Sequence, residues 1–134
     1  MIYLDACALL KFIKPEPQTN ALRDWRESLP DGTELITSEL AHVEITRTLL
    51  RARVDHRLVP HYLGQAMKGI YVVDLTSTVL ARAMSYRTPA LGSLDAIHLA
   101  SADPFRPELT ELITYDKELA RAAGDLGFPV GAPS

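Results

Sequence analysis

Asp5, Glu44, Asp95 and Asp116 each stand within or directly after an apolar stretch, and four carboxylates gathered in one place make a site for a hard divalent cation such as magnesium or manganese. Asp5 closes Ile2-Tyr3-Leu4 and opens Ala6-Cys7-Ala8-Leu9-Leu10, which predicts a strand passing directly into a helix. Asp116 follows Leu112-Ile113-Thr114-Tyr115 in the same way. Ligands of open α/β sheets collect beyond the carboxyl ends of the strands, so both acids should face one crevice despite their distance in sequence. Asp74, behind Ile70-Tyr71-Val72-Val73, is the rival at a third strand end and is expected outside that crevice.

Structural roles compete for the same residues. Asp5 and Asp116 suit the N-cap position of a following helix. Asp95 lies in the first turn of Ser93-Leu94-Asp95-Ala96-Ile97-His98-Leu99-Ala100, where the helix dipole favours a carboxylate. Against that stands the cost of an uncompensated charge in a nearly apolar segment. Glu44 shares one helix side with Arg47 and Arg51, three and seven residues on. Either this is a surface ion pair, or an acid at a metal site beside arginines that hold phosphates; spacing leaves both open. Cys7 at a helix start invites a nucleophilic reading, but no histidine and Asn/Asp pattern of a thiol enzyme accompanies it. His98, on an apolar helix, reads as a packed or hydrogen-bonded core histidine rather than a ligand.

The elements that must position these residues follow from periodicity. Ile2 to Leu4 is a buried strand, followed by a helix from Ala6 to Ile13 that Pro15 and Pro17 end. Thr19 to Leu29 is helical, Pro30-Asp31-Gly32 a turn, and Glu34 to Thr37 a second strand. Ser38 is the expected N-cap of a long helix carrying Leu40, Val43, Ile45, Leu49 and Leu50. A helix over His56 to Lys68 leads into Ile70 to Val73, whose unbroken apolar run predicts a strand covered on both faces. Further helices are expected over Thr76 to Arg87, over Ser93 to Ala102 with Ser93 as cap, and over Lys117 to Ala123. Strands are expected at Glu111 to Thr114 and, weakly, at Phe128 to Val130. Short strands alternating with helices imply right-handed crossovers and a central parallel sheet between two helical layers, an α/β/α sandwich.

With 134 residues and 47% hydrophobic content, the chain suits one domain spanning 1–134. Its apolar runs fall far short of the roughly 20 residues of a membrane span, and Lys11 and Lys14 interrupt the start before a secretory core could form, so a cytoplasmic location is expected. Net charge of −3 argues against nucleic-acid binding by bulk basicity. Locally, however, Arg47, Arg51, Arg53, His56, Arg57 and His61 meet Asp55 as the only acid between positions 47 and 61. Such a strip beside an acidic pocket suits a phosphodiester, because it holds phosphates that carboxylates alone would repel.

Ile2 through Lys11, Ser38 with Glu44 on a helix, Ser93 through Ala100, and Thr114-Tyr115-Asp116-Lys117-Glu118-Leu119, in that order over nearly the whole chain, resemble the PIN-domain ribonucleases, specifically the VapC toxins of toxin–antitoxin pairs. The resemblance implies a small α/β/α sandwich, magnesium-dependent endoribonuclease activity (with manganese as a substitute), a homodimer, and inhibition by a cognate VapB-type antitoxin. It makes Asp5, Glu44, Asp95 and Asp116 the acidic quartet, with Asp5 and Asp95 as metal ligands. It also implies that Arg47, Arg51 and Lys11 or Lys14 hold the RNA backbone. Ala6 and Cys7 depart from the threonine and serine usual in that family, leaving Ser38 and Thr114 as the hydroxyl candidates. A phosphoacceptor domain fits less well, because it needs adjacent acids where Ala6 follows Asp5, and a haloacid-dehalogenase phosphatase fails at Cys7. A non-catalytic domain whose acids are only caps is the remaining alternative.

Overall fold

Alternation along the strands decides the layering. In the computed structural model, which describes residues 1–134, β1 (Ile2–Leu4) turns Ile2 and Leu4 to one face of the sheet and Tyr3 to the other. Its neighbours β2 (Leu35–Ser38) and β4 (Glu111–Ile113) divide in the same way: Leu35 and Ile113 join the first face, Ile36 and Leu112 the second. Helices α1 (Ala6–Leu10), α2 (Thr19–Glu27), α3 (Leu40–Arg51) and α4 (Val59–Ala66) cover the first face. On the second lie α6 (Ser93–Ala102) and α7 (Lys117–Asp125), with α5 (Ser77–Ser85) packed on α6. The three layers are those expected of an α/β/α sandwich. Leu4, Leu9, Leu22 and Ile45 are fully buried in the first core. Each contributes about 1.5 to 3 kcal/mol by leaving water.

All five strands run parallel in the order β3-β2-β1-β4-β5, with β3 at Ile70–Val73 and β5 at Val130–Gly131. The chain winds outward from β1 through β2 to β3, then crosses back to β4 on the other side of β1. That reversal opens a crevice beyond the carboxyl ends of β1 and β4, the place where ligands of such sheets bind.

Four local expectations need correction. Ile70–Val73 is an edge strand with β2 as its single neighbour and is not covered on both faces: Tyr71 is 66% exposed. Ser38 ends β2 instead of starting α3; its hydroxyl still accepts the Leu40 N–H at 3.1 Å, so it caps from one position further back. Gly92, not Ser93, occupies the N-cap of α6. The first helix stops at Leu10, with Phe12 and Ile13 continuing in tighter turns bonded to Leu9 and Leu10. At the end of α3, Arg53 takes φ 61°, and the N–H groups of Arg53 and Val54 bond Leu50 and Leu49. This paired arrangement satisfies carbonyls that the helix end would otherwise orphan.

Candidate active site

Asp5 and Asp116 stand at the two rims of the crevice, and one hydroxyl ties them together. The Asp5 carboxylate is 3% exposed; its Oδ1 accepts the Ala8 N–H at 2.8 Å, capping α1, and its Oδ2 accepts the Thr114 hydroxyl at 2.5 Å. Thr114 Oγ1 in turn accepts the Asp116 N–H at 3.1 Å. Asp116 caps α7 through bonds from the Glu118 and Leu119 N–H groups. Both aspartates therefore are helix caps. Capping uses one or two of the roughly four acceptor positions of a carboxylate, so it does not compete with a further ligand.

Asp95 and Glu44 reach the crevice from the two sides of the sheet, Asp95 in the first turn of α6 and Glu44 from the middle of α3. They meet there because α3 and α6 touch at the carboxyl edge. Electrostatics reports the convergence. Burial, then the charge of Asp116, raises the Asp95 carboxyl above the usual carboxylate range; His98 offsets part of this, and Asp5 and Glu44 push it up further. Asp5 is also raised, first by burial, with the bonds from Thr114 and Ala8 and the nearness of His98 opposing and Glu44 adding to the shift. All four acids act on Cys7 as well, which after burial by its surroundings is pushed up to about 12. At neutral pH Cys7 is a thiol with almost no thiolate, which disposes of it as a nucleophile. Asp74 is not among the main influences on these groups; it follows β3, two strands away from β1 and so roughly 10 Å off.

The four carboxylates feel one another's charge without closing into a cage: no three His, Cys, Asp or Glu side chains encircle a point where an ion would sit. Magnesium does not require one, since it keeps several of its waters and is held by one or two carboxylates together with substrate phosphates. Oxygen donors, unspent acceptor positions on Asp5 and a mutual repulsion that a cation would relieve make this set fit such an ion.

Glu44 has a partner that spacing did not reveal. Its Oε1 lies 2.5 Å from Nε2 of His98, a buried histidine whose Nδ1 lies 2.6 Å from the Tyr3 hydroxyl. The reading of His98 as a hydrogen-bonded core residue holds, but its bond to the acid quartet was not anticipated, because Glu44 and His98 are 54 residues apart. Arg47 and Arg51 line a groove of about 320 Å³ together with Glu44, Cys7 and Leu94. Lys11 is not free to hold RNA: it is 6% exposed, paired with Glu16 at 2.6 Å and laid over the Tyr115 ring. Lys14 instead borders an apolar groove with Ile13, Leu49 and Tyr62. Of the two hydroxyl candidates, Thr114 serves the site and Ser38 serves α3.

The PIN domain model matches residues 2–125. Among curated proteins, Ribonuclease VapC35 of Mycobacterium tuberculosis (strain ATCC 25618 / H37Rv) is 42% identical over 139 residues, covering 99% of this chain and 97% of the relative. Ribonuclease VapC47 of Mycobacterium tuberculosis (strain CDC 1551 / Oshkosh) is 36% identical over 135 residues with the same coverage. This chain belongs to the PIN-domain family and, within it, to the VapC group. Solved structures share the fold across larger sequence distances. The sarcin-ricin-loop-cleaving toxin VapC20 of Mycobacterium tuberculosis superposes with a TM-score of 0.75 at 16% identity, over 99% of this chain and 100% of that one. VapBC2 of Rickettsia felis, bound to a promoter DNA fragment, superposes with 0.76 at 13% identity over the whole of both chains.

Proposed function

We propose that this protein is a magnesium-dependent endoribonuclease acting as the toxin of a toxin–antitoxin pair; its VapC relatives are named as ribonucleases. The observation that carries the reading is the electrostatic coupling of Asp5, Glu44, Asp95 and Asp116 at the switch point of the sheet, in a chain 36% to 42% identical to proteins named as ribonucleases. Asp5 and Asp95 would hold the cation, with Asp116 adding negative charge beside them. A divalent ion there supplies Lewis acidity toward a phosphate and lowers the pKa of water. Glu44 orients a water for in-line attack and takes up its proton, while Arg47 and Arg51 hold neighbouring phosphates along the groove. Products would carry 5′-phosphate and 3′-hydroxyl ends. A single-stranded loop suits the crevice best, because its backbone can splay into a narrow site. The chain would work as a homodimer, in which manganese replaces magnesium without change of ligands. Total cellular RNA incubated with the purified protein should gain new, mappable 5′ ends with magnesium and none with EDTA. Absence of metal-dependent cleavage in any RNA tested would sink the reading.

The same charge predicts how the toxin is restrained. A cognate antitoxin is expected to insert a basic residue, most simply an arginine, among the four carboxylates and to cover the groove along α3 beside Glu44. A guanidinium binds carboxylates through two parallel bonds and relieves their repulsion without metal. A structure of the co-purified pair checks this. An antitoxin seated only on the opposite face, with the crevice open, would count against it.

A further inference from the structure

The bond between His98 and Glu44 joins an acid on the middle of a helix to a buried side chain of the opposite layer. Tyr3 is fully buried on the second face of β1, and its ring meets the His98 ring edge-on, with centroids 5.8 Å apart at 78°. A phenol, with its ordinary pKa of about 10, carries its proton at neutral pH and can donate it. With that proton directed at Nδ1, the ring hydrogen sits on Nε2 and is donated to Glu44; the tautomer is assigned from these partners. A charged ring would present the same Nε2–H to Glu44, so the orientation does not depend on the protonation of His98. The line Tyr3 to His98 to Glu44 thus runs from the floor of the sheet to the crevice. Its first two members are buried, and the Glu44 side chain is about a quarter exposed.

We infer that His98, locked by Tyr3, is a positioning residue that fixes the Glu44 carboxylate in the orientation the reaction uses. This rests on the reading of Glu44 as part of the catalytic set. Glu44 sits in mid-helix on a flexible side chain with no cap bond to hold it, unlike Asp5 and Asp116. Without His98 its carboxylate would sample several rotamers and lose alignment with water and phosphate. A purely structural His98, present to satisfy the buried Tyr3 hydroxyl, is the competing account. The two make opposite demands on the ring nitrogens. Asparagine places its amide near the Nδ1 position and can serve Tyr3, whereas glutamine reaches the Nε2 position and can donate to Glu44.

Cleavage of a defined RNA with magnesium should therefore fall about 10- to 100-fold in kcat for His98→Asn, the usual loss when a partner of a site ligand is removed. KM should change little. His98→Gln should end at least about tenfold above His98→Asn. In a Glu44→Gln background, His98→Asn should cost nothing further, because its effect passes through Glu44. In the metal-free protein, proton NMR should show a slowly exchanging His98 Nε2–H that Glu44→Ala abolishes. Thermal melts identify any variant that fails to fold, and Tyr3→Phe, which removes only the hydroxyl, then replaces His98→Asn in the cycle. Equal cleavage by the asparagine and glutamine variants, full additivity with Glu44→Gln, or a ring proton indifferent to Glu44→Ala would each overturn the positioning role while an active parent protein leaves the ribonuclease reading intact. A parent protein inactive with magnesium overturns that reading first, and the inference with it.

Discussion

Asp5→Asn and Asp95→Asn should each abolish RNA cleavage while the metal-free protein stays folded. An ion held at these carboxylates stabilises transition-state charge by several kcal/mol, so loss of either ligand is expected to lower the rate about a thousandfold or more. The fold tolerates the change for reasons visible at Asp5. An asparagine Oδ1 can still accept the Ala8 N–H, and its amide can donate to Thr114 Oγ1, which has a second acceptor position beside the one used by Asp116. Asparagine also caps a helix about as well as aspartate. If Asp5 were only a cap, Asp5→Asn would therefore be nearly silent. Rates on a fluorescent RNA, with circular dichroism to confirm folding, distinguish the two accounts. Full cleavage by either variant would show that these aspartates do not hold the metal.

Stability should respond to pH and magnesium in opposite ways. Asp5 and Asp95 both have carboxyl pKa values raised above 3.8 in the folded state. Between 3.8 and the folded value, the native protein binds more protons than the unfolded chain, so stability falls as pH rises through that window and the penalty is complete above it. In EDTA, Asp5→Asn and Asp95→Asn lack this penalty. Their melting temperatures should equal or exceed the parent's at pH 7, and the advantage should shrink as pH falls toward 3.8. Magnesium reverses the order. At a hundredfold excess over Kd, it stabilises the parent by about 2.7 kcal/mol, a shift on the order of 10 °C that each variant should largely lose. Equal magnesium shifts in all three proteins would remove Asp5 and Asp95 from the metal site.

The positions of Asp5 and Asp116 after β1 and β4 are legible in the sequence, because the features that set them are local. An apolar run followed by an acid and a helical pattern marks a strand end wherever it occurs, and a parallel sheet brings such ends to one edge. The sequence likewise determined the element order and the layering of helices over a parallel sheet, since period-2 and period-3.6 patterns are written in neighbouring residues. Those patterns say which residues turn inward and are silent on what lies opposite. For that reason the unbroken run Ile70 to Val73 did not disclose an edge strand: apolarity is the same whether one neighbour or two complete the sheet. Lys11 looked available for RNA until the fold laid it over Tyr115 and against Glu16. Only the tertiary structure decided the partner of Glu44. The helical stripe offered Arg47 and Arg51, but α3 and α6 approach from opposite sides of the sheet and meet at its carboxyl edge, and there a buried histidine 54 residues away takes the carboxylate.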